Sequence, residues 1–96
     1  MRVESEASAR VLIRGKVQGV WFRGWIVREA ERLALHGWVR NRVDGSVEAA
    51  FAGSLGAVRE MIERCRVGPP AAQVEQVEEL PVETPVGPGF VQKPTC

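Results

Sequence analysis

Residues 9–35, ARVLIRGKVQGVWFRGWIVREAERLAL, change hydrophobic period in mid-course, and that change decides the fold. At the start Ala9, Val11 and Ile13 fall on one side and Arg10, Leu12 and Arg14 on the other, the period of two of a half-buried strand. Gly15-Lys16-Val17-Gln18-Gly19 then breaks the pattern with glycines that permit backbone angles closed to other residues. Beyond the break Phe22, Ile26, Ala30 and Leu33 recur at helical spacing, while Arg28, Glu29, Glu31 and Arg32 take the opposite side. The pattern predicts an amphipathic helix from about Phe22 to Leu35, stopped at Gly37.

Working outward, Trp38 to Val43 and Ser46 to Ala52 read as strands joined at Asp44-Gly45, a strong tight-turn pair. Leu55, Val58, Ile62 and Cys65 carry a second helix that begins after Ser54, a suitable N-cap, and ends at Gly68-Pro69-Pro70. Gln73 to Leu80 alternates around Val74, and Phe90 to Gln92 supplies a short last strand after a Pro/Gly loop from Pro81 to Gly89. Met1 to Ser8 is polar and aperiodic and reads as a flexible tail, which leaves residues 9–96 as one domain. The order strand, helix, strand, strand, helix, strand, with a fifth short strand, predicts an α+β fold. It is the ferredoxin-like split βαβ sandwich (βαββαβ), an antiparallel sheet with both helices on one face.

Composition narrows the function. At 96 residues, 45% apolar and 26% charged, the chain builds one core and no more. Thirteen basic residues against 12 acidic leave a net charge of +1, without the basic footprint that binds nucleic acid, so no nucleic-acid partner is expected. A single His (His36), a single Asp (Asp44) and two Cys (Cys65, Cys96) cannot assemble a multi-His or Cys-rich metal site, and neither metal nor cofactor is expected. The cysteines form no C-x-x-C pair, which fits a reducing, cytoplasmic setting. The longest apolar run is Ala49 to Ala52, so neither a signal peptide nor a membrane span is expected, and no large apolar surface argues against a monomer.

Two local oddities carry the chemistry. No Ser, Thr, Asp or Asn lies between Gly15 and Gly24, so the first amides of the helix lack a side-chain acceptor. Arg23 adds a full positive charge where the helix dipole is already positive. Either water caps this end and Arg23 is solvated, or the loop is a cradle for a tetrahedral anion such as phosphate. The spacing is neither that of a P-loop, since Trp25-Ile26 stand where Lys-Ser/Thr is needed, nor that of a dinucleotide fingerprint. The second oddity is Asn41, a primary amide sharing the apolar face of its strand with Val39 and Val43. It must bond nearby backbone or hold a water or ligand.

Gly15-Lys16-Val17-Gln18-Gly19-Val20-Trp21-Phe22-Arg23, followed by Gly37-Trp38-Val39-Arg40-Asn41-Arg42-Val43-Asp44-Gly45-Ser46-Val47-Glu48, resembles the two signatures of the acylphosphatases. The resemblance extends from Ala9 to Thr95. It implies metal-independent hydrolysis of carboxyl-phosphate anhydrides on a ferredoxin-like fold, with a small-molecule acyl phosphate as substrate. It implies that Arg23 binds the phosphate, that Asn41 positions the attacking water, and that the loop Gly15, Lys16, Val17, Gln18, Gly19, Val20, Trp21, Phe22 is the amide cradle. Trp21 and Gly24 stand where the family varies, Arg42 replaces a commoner small polar residue, and the chain ends in Lys93-Pro94-Thr95-Cys96 instead of an aromatic-capped strand.

The residues support that chemistry independently. Asn41 can orient water but not deprotonate it, and no His or Asp lies in the loop as acid or base. The substrate must then supply a leaving group that departs unprotonated, as a carboxylate with a pKa of roughly 4 does. A Ser46, His36, Asp44 triad is disfavoured by the turn position of Asp44 and the helix-end position of His36. Cys65 repeats with apolar helix positions and reads as core, Cys96 as exposed, Trp25 and Trp38 as packing residues, and Trp21 as a wall for the acyl end. The rivals are an RNA-recognition module, whose aromatic platform the third strand lacks, and a non-catalytic anion-binding regulatory module on the same fold.

Overall fold

The computed structural model describes residues 6–96. Its elements are β1 (Glu6–Lys16), α1 (Phe22–Arg32), β2 (His36–Asn41), β3 (Val47–Ser54), α2 (Leu55–Cys65), β4 (Gln73–Leu80) and β5 (Phe90–Gln92). The sheet order is β4-β1-β3-β2-β5. The four longer strands pair antiparallel, as the element order predicts, whereas β5 lies parallel to β2 with Gly37 opposite Phe90. The five-strand sheet is therefore mixed. The long return from β4 delivers the chain to the end of the sheet where β2 begins, and Gly37 N–H donates to Gly89 O there at 2.9 Å.

Strand alternation sorts the two faces as the sequence indicates. Val11, Ile13, Val39, Val47, Ala49 and Phe51 enter one core together with Phe22, Ile26 and Ala30 of α1 and Val58, Met61, Ile62 and Cys65 of α2. One face of the sheet thus meets both helices, α1 lying over β2 and β5 and α2 over β1 and β3. Ser54 caps α2 as expected, its Oγ accepting from Ala57 N–H at 3.2 Å.

Several boundaries move. The expected tail is shorter than residues 1–8, because Glu6, Ala7 and Ser8 pair with Ser54, Gly53 and Ala52; residues 1–5 lie outside the described residues. Helix α1 ends at Arg32 and not near Leu35, since Ala34 takes a left-handed φ of 56°. Leu35 N–H then donates to Ala30 O and Ala34 N–H to Glu31 O, the paired bonds of a Schellman cap. The β2–β3 turn spans Arg42 to Ser46, with Gly45 N–H donating to Arg42 O and Gly45 taking the positive φ, so Val43 sits in the turn, exposed, and not on the core face. The open face is not bare: Glu48 is 0% exposed there, bound by Arg10, Arg40 and Arg42 at 2.7, 2.9 and 3.1 Å. Trp38, beside Arg40 and Glu48 on that face, is covered by Arg40 and Lys93 at 4.8 and 4.6 Å from the ring centre.

Candidate active site

The site begins where β1 ends its pairing with β3 at Ile13 and runs on beside β4 to Lys16. Between Arg14 and Gly15 the register against β4 shifts, leaving Glu75 as the extra residue of a bulge. Gly15 has φ +128°, and a Cβ there would run into the Gln73 carbonyl. The chain then turns through Gly19 at φ +74° and Trp21 at φ 65°, which places Trp21 at the N-cap of α1. As the sequence predicts, the N-cap offers no side-chain hydrogen bond and the first turn carries no acidic residue. The first backbone bond at this end is Trp25 N–H to Trp21 O at 3.0 Å. The amides of Phe22, Arg23 and Gly24 therefore precede the helical ladder and point outward from it, the geometry that attracts anions.

A pocket of about 140 Å³ opens at this end, lined by Val17, Gln18, Gly19, Trp21, Phe22, Arg23, Gly24, Asn41 and Gln92. At roughly 30 Å³ per water molecule it has room for a tetrahedral oxyanion with a water beside it. Arg23 comes from the first turn of α1 and Asn41 from the last residue of β2, so loop, helix and sheet converge on one cavity. Arg23 has no carboxylate partner among the described residues. The Asn41 side chain, half-buried and open to solvent, makes no hydrogen bond to protein among the described residues, so its amide is free to meet a molecule in the pocket. Trp21 is 57% exposed with its indole folded over Gly24, where any side chain would strike it, and Arg28 lies 5.6 Å from its ring centre.

Of the loop residues expected to form the cradle, Val17, Gln18, Gly19, Trp21 and Phe22 line this pocket. Gly15 faces β4, Lys16 closes β1 in solvent, and Val20 packs against the core. The triad is taken apart: Ser46 Oγ donates to Asp44 Oδ1 at 2.6 Å, while His36 opens β2 at the far end and its Nδ1 accepts from Gly89 N–H at 2.8 Å. Hydrogen bonds from the Ser46 hydroxyl and amide hold the Asp44 carboxyl below its ordinary value, with Arg42 and Arg14 adding to the effect. Cys65 is buried, and burial pushes its thiol far up, which keeps it from serving as a nucleophile.

The acylphosphatase family profile matches residues 9–91, which include the whole pocket except Gln92. The chain belongs to the acylphosphatase family. It is 56% identical over 85 residues to the acylphosphatase of Rhodospirillum rubrum, covering 88% of this chain and 93% of that one. It is 61% identical over 77 residues to that of Nitrobacter winogradskyi, covering 80% and 78%. Among solved structures it resembles the acylphosphatase from Coxiella burnetii with a TM-score of 0.82 at 38% identity, over 92% and 93% of the two chains. The acylphosphatase from Bacillus subtilis gives 0.83 at 32% identity, over 90% and 97%.

Within this acylphosphatase framework two features escape the sequence reading. Gln92 reaches the pocket only because β5 adds in parallel beside β2, with Gln92 opposite Val39. No periodicity in a three-residue strand encodes that partner. The Gln18 side chain crosses from the loop to the hairpin, its Nε2 donating to Arg42 O at 2.7 Å and Ser46 O at 2.8 Å.

Proposed function

We propose that this acylphosphatase hydrolyses acyl phosphates without a metal, with Arg23 and the loop amides holding the phosphoryl group and Asn41 orienting the attacking water. The observation that carries the reading is the convergence of Arg23, uncapped helix amides and an unpartnered Asn41 amide on one small pocket. Amide N–H groups and a guanidinium attract anions and repel a cation, and among the described residues no carboxylate, imidazole or thiol lines that pocket. Phosphoryl transfer asks mainly for positioning and charge stabilisation, which this donor set supplies. The Asn41 side-chain carbonyl accepts from the water and directs its oxygen at phosphorus. A non-bridging phosphate oxygen takes the water's proton as the P–O bond to the acyl group breaks. The carboxylate then leaves without needing an acid, which also explains why an alkyl phosphate, with its poor alkoxide leaving group, does not suit the site.

The test is the ultraviolet change on hydrolysis of benzoyl phosphate by the purified protein in excess EDTA. Turnover that persists with the chelator is expected; a folded but inactive protein would leave an anion-binding module in its place. Arg23→Ala is expected to lose both phosphate binding and turnover. Asn41→Ala should keep phosphate affinity within a few-fold while kcat falls by about 100-fold, the scale for removing one positioned polar group. Equal loss of binding in both variants would overturn this division of roles.

A further inference from the structure

We propose that the Gln18 side chain is a positioning residue that fixes the separation between the phosphate cradle and Asn41, an assignment that rests on the reading of the site given above. Gln18 lies in the loop, and its carboxamide donates both of its hydrogens across to the hairpin, one to Arg42 O at 2.7 Å and one to Ser46 O at 2.8 Å. Arg42 directly follows Asn41 in the chain, so the first bond grips the backbone one residue from the amide that orients the water. The second grips the strand opposite, where Asn41 pairs with Val47, the neighbour of Ser46.

The hairpin does not need Gln18 to keep its own shape. Arg42 O also accepts from Gly45 N–H at 3.1 Å, and Ser46 O from Arg42 N–H at 2.9 Å, so each carbonyl retains a turn partner without the glutamine. Ile13 pairs with Val47 and Arg14 lies 3.9 Å from Asp44 at the start of the loop, and the carboxamide adds a direct tie to the hairpin further along it, beside the pocket. The chemistry is specific to an NH₂ group, which presents two donors in one plane; a carboxylate of the same shape would set its oxygens against two carbonyls. Since in-line attack is sensitive to displacements of about 1 Å, loss of this tie acts on the water and not on the bound phosphate.

The test compares Gln18→Met, which keeps length and loses the donors, in the wild-type and Asn41→Ala backgrounds. Benzoyl phosphate turnover and inhibition by inorganic phosphate are the readouts. In the wild-type background kcat is expected to fall by about 10- to 100-fold while the phosphate inhibition constant moves less than about threefold. In the Asn41→Ala background the same change should cost less than about twofold, because the group it positions is gone. Gln18→Glu is the second variant and should lose at least as much kcat as Gln18→Met. Equal factors in both backgrounds, loss of phosphate binding together with turnover, or wild-type kcat would each overturn the assignment. So would failure of both variants to fold, since Gln18 would then be a structural residue. A wild-type protein without turnover, or an Asn41→Ala variant as fast as wild type, would instead overturn the reading of the site itself.

Discussion

Gly15 and Gly19 bracket the same loop but answer to different constraints. Gly19, at φ +74°, has open space where a side chain would begin, so only its left-handed backbone calls for glycine. An Ala there should destabilise the fold by about 1 kcal/mol. Gly15, at φ +128°, would drive a Cβ into the Gln73 carbonyl and within 2.8 Å of the Glu75 amide, both main-chain atoms of β4. Gly15→Ala should therefore cost about 3 kcal/mol or more, the sum of backbone strain and overpacking. Urea unfolding monitored by circular dichroism separates the two, and equal losses would refute the bulge as the reason for Gly15. The sequence presents both glycines as breaks in a strand and nothing distinguishes them, because the obstacle at Gly15 is a strand that comes much later in the chain. Arg23 and Asn41 are legible for the opposite reason: each violates a local rule, one for the charge at a helix start and one for the polarity of a strand face.

At the scale of elements, what the sequence encodes is period, and what it leaves open is where a period stops and what it pairs with. Helix α1 illustrates this. The glycine signal for a helix stop is Gly37, yet Gly37 sits in β2, where a side chain would strike the Ala50 carbonyl, and the left-handed cap falls on Ala34. Ala34 occupies φ 56° because Leu35 must turn back into the core, where it is 3% exposed. The alanine there costs about 1–2 kcal/mol in backbone strain, which glycine would relieve less its greater freedom in the unfolded chain. Ala34→Gly is expected to raise stability by about 0.5–1 kcal/mol with kcat unchanged, since Ala34 lies at the end of α1 remote from Arg23. A thermal melt with a benzoyl phosphate assay checks both, and a lowered melting temperature would show that the Schellman cap does not strain this residue. Strand β5 is the other case: Phe90 to Gln92 reads as a strand, but its parallel place beside β2, which brings Gln92 to the pocket, depends on where the long return loop lands.

The face of the sheet away from the helices is braced by Glu48, the one buried carboxylate among the described residues. Glu48, on the central strand β3, accepts from Arg10 on β1, Arg40 on β2 and Arg42 at the hairpin turn, so one residue ties three parts of the sheet. Burial by itself would raise its carboxyl, but the three guanidiniums outweigh that and hold it below the ordinary value of 4.5. A carboxyl lowered in the folded state stabilises the fold fully above 4.5, and that contribution is lost as pH falls through the lower, folded value. Asp44, also lowered, chiefly by the hydrogen bonds from Ser46, adds to the same acid limb from the exposed turn. Melting temperatures measured across the acid range should therefore fall most steeply below the ordinary carboxylate values. Glu48→Gln should cost about 2 kcal/mol at neutral pH, less than a fully buried pair because the guanidiniums reach water. It should also flatten the acid limb, leaving the part that belongs to Asp44. A Glu48→Gln protein with the wild-type acid slope would place the pH dependence elsewhere. The expected result would mean that the same strands that seat Asn41 at one end of the pocket are locked in register by charge on their other face.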